Sequence, residues 1–222
     1  MNVIATYQLT NAYQVIKHLQ TNEIYGYESL LRGNKNPVEL FDDAKKKGEL
    51  IQLDQEARFL ALRNYQSTHP LFINCHPDAF THVLKYLDDF NTIETIVIEL
   101  TEHVPIQTAS LPSIIQQLRE RGVKIAIDDF GKGYTNLELI EILRPDYLKL
   151  ERCLIQRPTP RKKLLLRGIS KLAKEVGTKV IMEGIETEEQ LQITLESGIF
   201  LGQGFLLGKP HHSTLVHEIS EF

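Results

Sequence analysis

Ile125-Ala126-Ile127-Asp128-Asp129-Phe130-Gly131-Lys132-Gly133-Tyr134 decides how the rest of this chain reads. Its head has the length and β-branched content of a buried strand, and a glycine-containing loop follows at once. Between them stand two adjacent carboxylates with no basic neighbour on the strand. Such a pair is costly to bury unless water or a cation meets it. One acidic strand end is ordinary loop chemistry, so the reading depends on whether other strands end alike.

Downstream, Asn136 to Leu143 reads as a helix stopped before Pro145, and Tyr147-Leu148-Lys149-Leu150 as a strand. Arg161 to Val176 is a helix ended by Gly177, Lys179 to Met182 a strand, and Glu188 to Ser197 a helix ended by Gly198. Gln203-Gly204-Phe205-Leu206-Leu207 reads as the last strand, followed by a short helix around Leu215 to Ile219. Upstream, Leu111 to Arg121 is helical, Ile96-Val97-Ile98-Glu99 a strand, Ala79 to Phe90 an amphipathic helix and Leu71-Phe72-Ile73-Asn74 a strand. Pro37 to about Tyr65 has helical periodicity broken at Gly48. Ala12 to Leu19 and Ile24 to Leu31, joined by Gln-Thr-Asn-Glu, open the chain as a hairpin.

Short apolar strands alternating with helices imply a parallel sheet covered by helices. About eight strands suffice to close a barrel, and strands joined by a hairpin run antiparallel. The expected fold class is therefore α/β, a (β/α)8 TIM-like barrel with one antiparallel strand near the N-terminus. No repeat or linker divides the 222 residues, so residues 1–222 read as a single domain. With 42% hydrophobic and 24% charged residues the chain can bury a sizeable core. A net charge of −4 offers no basic surface for a DNA or RNA polymer. No apolar run approaches the roughly 18 residues of a membrane span, and the N-terminus lacks a signal-peptide pattern; the expected location is the cytoplasm, with no membrane partner. Cys75 and Cys153 lie far apart without metal-ligand spacing and read as small buried thiols.

In such a barrel the chemistry sits at the C-terminal ends of the strands. Those ends are Glu28, Asn74, Glu99, Asp128 with Asp129, Lys149, Glu183 and Gln203. All are polar, and most are acidic. Converging carboxylates repel and raise one another's pKa unless cations compensate; two divalent ions together with Lys149 would cancel the five negative charges. An oxygen-rich set favours Mg²⁺ or Mn²⁺. Two such ions can activate a water for in-line attack on phosphorus, so the chemistry points to metal-assisted phosphoester hydrolysis.

Tyr27-Glu28-Ser29-Leu30-Leu31-Arg32, Phe72-Ile73-Asn74, Glu99-Leu100-Thr101-Glu102, Asp128-Asp129-Phe130-Gly131, Lys149-Leu150-Glu151, Glu183-Gly184-Ile185-Glu186 and Gln203-Gly204-Phe205 follow one another in this order. In this the chain resembles the EAL-domain cyclic di-GMP phosphodiesterases over almost its whole length. The resemblance implies hydrolysis of cyclic di-GMP to linear pGpG by a water activated between two Mg²⁺ or Mn²⁺ ions. It implies Glu28, Asn74, Glu99 and Asp128 as ligands of a first ion, and Asp128, Asp129 and Glu183 of a second. Lys149 would orient or deprotonate the water, with a pKa that two dications could depress, and Gln203 would position the water or a phosphate oxygen. Arg32 matches a phosphate-contacting arginine; Gln14 and Leu30 match substrate-lining positions. Glu102 and Glu186 match supporting positions, Glu102 holding the loop from Phe130 to Leu137, hinged at Gly131-Lys-Gly133.

Ser29, Val15, Glu151, Met182 and His76 depart from the family's usual residues; none of them is a ligand position or the lysine. The family also contains catalytically inactive members, so the alternative is a cyclic di-GMP receptor or protein-interaction module on the same fold. A homodimer is expected from the resemblance, and a regulatory protein partner is compatible with it.

Overall fold

Eight strands close into a barrel in chain order. They are β1 (Thr10–His18), β2 (Ile24–Arg32), β3 (Leu71–Asn74), β4 (Ile96–Thr101), β5 (Lys124–Phe130), β6 (Tyr147–Leu150), β7 (Lys179–Met182) and β8 (Leu201–Gly202). The computed structural model describes residues 3–85, 87, 96–101, 111–131 and 137–212. Strand β1 is antiparallel to both its neighbours, β2 and β8, while β2 through β8 are mutually parallel. The expected barrel with one antiparallel strand near the N-terminus is the fold observed.

Among the described residues the α-helices are α1 (Val3–Tyr7), α2 (Pro37–Lys47), α3 (Leu50–Arg63), α4 (Leu111–Glu120), α5 (Leu137–Leu143), α6 (Pro160–Glu175) and α7 (Glu188–Glu196). Their ends follow local chemistry. The Asn36 side chain accepts from Glu39 N before Pro37 starts α2, and Gly48 ends it at φ 73°. Thr187 and Gln190 form a reciprocal capping box on α7. Among the described residues, no helix is long and apolar enough to cross a membrane.

Alternation along the strands builds the interior in layers. Ile16, Phe72, Val97, Ala126, Tyr147, Ile181 and Leu201, one from each of seven strands, form a buried inner cluster, and Tyr25 of β2 packs against it. Two residues farther toward the mouth stand Gln14, Asn74, Glu99, Asp128, Lys149, Glu183 and Gln203. Glu28 joins this upper layer from β2, opposite Gln14, because a register shift at Tyr25 offsets that strand by one residue. The polar ring is thus the layer directly above an apolar one.

Two expectations change. The last strand is Leu201–Gly202; from Gln203 the chain turns, with Leu206 N donating to Ile185 O (3.1 Å) and Leu207 N to Gly204 O (3.0 Å). The apolar run after Gln203 belongs to that turn, and Phe205 stays exposed. In place of an α-helix from Ala79, a 3₁₀ helix spans Pro77–His82. Phe80 and Val83, both buried, are three residues apart and share one side of a three-residue turn. The far end of that expected helix, the one at Leu215 to Ile219, Glu102 and the Lys132-Gly133 hinge lie outside the described residues.

Candidate active site

Lys149 organises the mouth of the barrel. Its ammonium lies 2.7 Å from Glu99 Oε1, 2.9 Å from Glu183 Oε1, 3.2 Å from Asp128 Oδ1 and 3.3 Å from Glu28 Oε1. Lys149 itself is fully buried. Four carboxylates, from β2, β4, β5 and the residue just past β7, therefore share one ammonium. Glu28 is fixed further by Asn74 Nδ2, which donates to Oε1 (3.0 Å), and Gln203 Nε2, which donates to Oε2 (2.7 Å). The same Gln203 nitrogen donates to Gln14 Oε1 (3.0 Å), and Gln14 Nε2 donates to the Gly208 carbonyl (3.0 Å).

The charges are unevenly met. Burial would raise Glu28, but Lys149 and the hydrogen bonds from Gln203 and Asn74 outweigh it and hold this carboxyl below its usual range. Burial pushes Glu99 well above that range, with repulsion from Glu28 and Asp128 added against the pull of Lys149. Asp128 is raised by burial, then by Glu28 and Asp129, again against Lys149. Glu183 is pushed up to about 8 by burial, with Asp128 and Glu28 adding to it. Burial alone would lower Lys149, yet Asp128, Glu183, Glu28 and Glu99 together hold it well above the usual lysine value. The carboxylates alone thus keep Lys149 an ammonium.

A bulge aims the paired acids that opened the sequence reading. Pairing between β5 and β6 slips between Ile127 and Phe130, and Asp129 adopts φ 57°. Asp128 thereby faces Lys149 while Asp129, half-buried, adds its charge beside it. Leu30 and Arg32 alternate with Glu28 along β2 and are half-buried above it; Arg32 Nη1 donates to Leu31 O (2.9 Å). Glu186 is exposed, and its backbone N–H donates to Gln190 Oε1 (2.7 Å); no contact joins its carboxylate to the cluster among the described residues.

The departures have places of their own. Glu151 caps a short turn by accepting from Cys153 N (2.6 Å), His76 Nδ1 accepts from Asp78 N (3.1 Å), and Ser29 Oγ accepts from Asn11 Nδ2 (3.2 Å). Met182 is buried in the layer between barrel and helices. Cys75 is buried, whereas Cys153 is only half-buried.

The donor chemistry fits divalent cations. Glu99 Oε2 and Gln203 Oε1 are buried acceptors with no hydrogen-bond donor among the described residues, and one ammonium faces four carboxylates. As the side chains stand, no group of three or more His, Cys, Asp and Glu among the described residues is disposed to hold a metal ion; Lys149 Nζ occupies the point on which the carboxylates converge.

The sequence reading missed the Gly208 carbonyl that holds Gln14, for which no local pattern exists. It also missed Asp54 and Arg58, a buried ion pair on α3; two opposite charges four apart on an otherwise apolar stripe are a readable signal.

The EAL domain family model matches residues 2–210. The Escherichia coli protein named "Probable cyclic di-GMP phosphodiesterase PdeG" is 27% identical over 225 residues, 89% of this chain and 44% of that protein. Klebsiella pneumoniae BlrP1, in its calcium and cyclic di-GMP complex, superposes with a TM-score of 0.82 at 28% identity over 91% of this chain and 55% of its own. A standalone EAL protein from Vibrio cholerae, bound to cyclic di-GMP, gives 0.79 at 26% identity over 92% of each chain. This chain therefore spans about half the length of PdeG and of BlrP1. A match over nearly every described residue, on a barrel whose polar ring carries the motifs in order, makes this chain a member of the EAL domain family.

Proposed function

We propose that this protein is a cyclic-guanylate-specific phosphodiesterase, hydrolysing cyclic di-GMP to linear pGpG with two divalent ions, Mg²⁺ or Mn²⁺. One observation carries the reading: four carboxylates, from β2, β4, β5 and the residue just past β7, converge within 3.3 Å of a single buried ammonium. A site that only bound a nucleotide has no need of so many buried anions. The names of the E. coli, Klebsiella and Vibrio proteins support the substrate, and the BlrP1 calcium complex supports a divalent ion.

Glu28, Asn74, Glu99, Asp128, Asp129 and Glu183 would hold the ions, which when bound supply Lewis acidity and a lowered pKa for water. In the reaction a water oxygen bonds to phosphorus, the bond to the 3′ oxygen breaks, and a proton passes from the water side to the leaving oxygen. Lys149 orients the water and, as an ammonium, meets the negative charge that develops on the phosphoryl oxygens. Asn74 and Gln203 lock Glu28 in one orientation. Arg32 presents a guanidinium suited to a phosphate, and Gln14 and Leu30 line the path of the nucleotide.

The chain is proposed to act as one domain over residues 1–222, in the cytoplasm, and to pair with a second copy. Exposed Leu165 and Leu172 of α6 and Val176 just past its end line one groove with Leu137 of α5; α5 carries Glu138 and Glu141 where α6 carries Arg167 and Lys171, a complementary set for a two-fold contact. The deciding experiment incubates the protein with cyclic di-GMP and Mg²⁺, Mn²⁺ or chelator, with sedimentation of the same preparation. Metal-dependent pGpG is expected from a dimer. Intact, bound nucleotide in every tube would make the protein a receptor instead.

A further inference from the structure

We propose that Asp54 of α3, oriented by Arg58, is a positioning residue that sets the Asn74 loop for metal binding. The inference rests on the metal-dependent reading above. The two residues are 1% and 2% exposed and lie four apart, on one face of the helix. Asp54 accepts from Arg58 with one oxygen and from His76 N with the other (2.7 Å). Arg58 also reaches Cys75 Sγ (3.3 Å) and the His82 carbonyl (3.4 Å). All these partners lie in the chain just after Asn74.

From the opposite side, Cys75 N donates to the Glu99 carbonyl (3.0 Å). The backbone that leaves Asn74 is therefore pinned between α3 and β4, and β4 carries one of the cluster carboxylates. The His76 ring adds a third hold: it stacks on Phe41 of α2 at 5.3 Å and caps the turn that follows. These contacts deliver the Asn74 amide to Glu28. A buried ion pair is a weak route to stability, because desolvation offsets most of the attraction and apolar residues would pack there as well. Asp54 nevertheless gives the half-buried His76 N–H an acceptor. Groups that orient metal ligands commonly change metal affinity by about 10–100-fold when removed.

Two double variants separate positioning from bulk stability. Asp54→Asn with Arg58→Gln discards the charges but keeps an acceptor for His76 N. Asp54→Leu with Arg58→Met keeps a packed, apolar helix face but loses that acceptor. Each is titrated with Mn²⁺, following the rise in melting temperature, and KM for cyclic di-GMP is measured at saturating Mn²⁺. The amide variant is expected to titrate within about 2-fold of the parent protein and the apolar variant about 10-fold weaker, with KM unchanged in both. If the apolar variant does not fold, Asp54→Ala held folded by an excluded osmolyte takes its place. Equal Mn²⁺ midpoints in parent and acceptor-less variant would overturn the inference. A parent protein whose melting temperature ignores Mn²⁺ would overturn the metal-dependent reading itself.

Discussion

Lys149 is the residue at which the physics of this site concentrates. Its ammonium offsets four carboxylates, and its removal would leave them buried without a counter-charge. Lys149→Ala is therefore expected to act in two ways. Hydrolysis of cyclic di-GMP should fall by about 10²–10⁴-fold, while nucleotide binding stays largely intact because Arg32, Gln14 and Leu30, the proposed nucleotide contacts, are untouched. The melting temperature in chelator should fall as well, and recover more on adding Mn²⁺ than that of the parent. Paired turnover, binding and melting measurements check this; undiminished turnover would remove Lys149 from the chemistry. Placing the chemistry at the C-terminal strand ends is enough to single out this residue and its neighbours. It could not show Lys149 Nζ standing at their common centre, because side-chain convergence depends on the closure of the barrel rather than on any local pattern.

Among the elements, the short turn after β8 shows how a site position can be legible when its element is not. Gln203 reads from the sequence as a polar strand end, but the apolar run behind it belongs to a turn rather than a strand. What shapes that turn is contact with the Ile185 backbone, remote in sequence. Ile185 N donates to Gln203 O (3.1 Å), and a Cβ on Gly204 would fall 2.1 Å from Ile185 O and 2.3 Å from Ile185 N. No side chain fits there without moving backbone. Gly204→Ala is expected to displace Gln203, freeing Glu28 Oε2 and Gln14, and to destabilise the protein by about 2 kcal/mol. Denaturant unfolding reads the second effect and turnover the first; a wild-type midpoint would mean that the turn has slack the close approach denies. The β5 bulge was hidden for a similar reason. Asp128-Asp129 announced two acids, but the φ of 57° at Asp129 follows from pairing with β6. Helices α2, α6 and α7, by contrast, are readable nearly to their C-terminal ends, because Gly48, Gly177 and Gly198 act locally; the helix expected from Ala79 is not.

Folding the whole molecule gathers acids that the unfolded chain keeps apart, and this sets how stability responds to pH. Glu183 rises from an ordinary 4.5 to about 8 in the folded protein. Between those values the native state holds a proton that the unfolded chain has released. Stability from this group is full below the lower value and is lost as pH climbs through the higher one. Glu99 and Asp128 shift in the same direction. Glu28, lowered, contributes stability that fades only in acid, and Lys149, raised, weakens only far into alkali. In chelator the melting temperature should therefore fall across roughly pH 4.5 to 8. A divalent ion prefers the deprotonated carboxylates and binds only the folded barrel, where 100 times its Kd adds about 2.7 kcal/mol. Saturating Mn²⁺ should raise the melting temperature most at alkaline pH and flatten the slope. Thermal unfolding across that range, with chelator and with Mn²⁺, decides the matter. Parallel curves would mean that the cation does not meet these carboxylates. A curve that climbs with pH in chelator would mean that their burial is relieved by something other than a proton, and the charge balance argued for the site would have to be redrawn around Lys149.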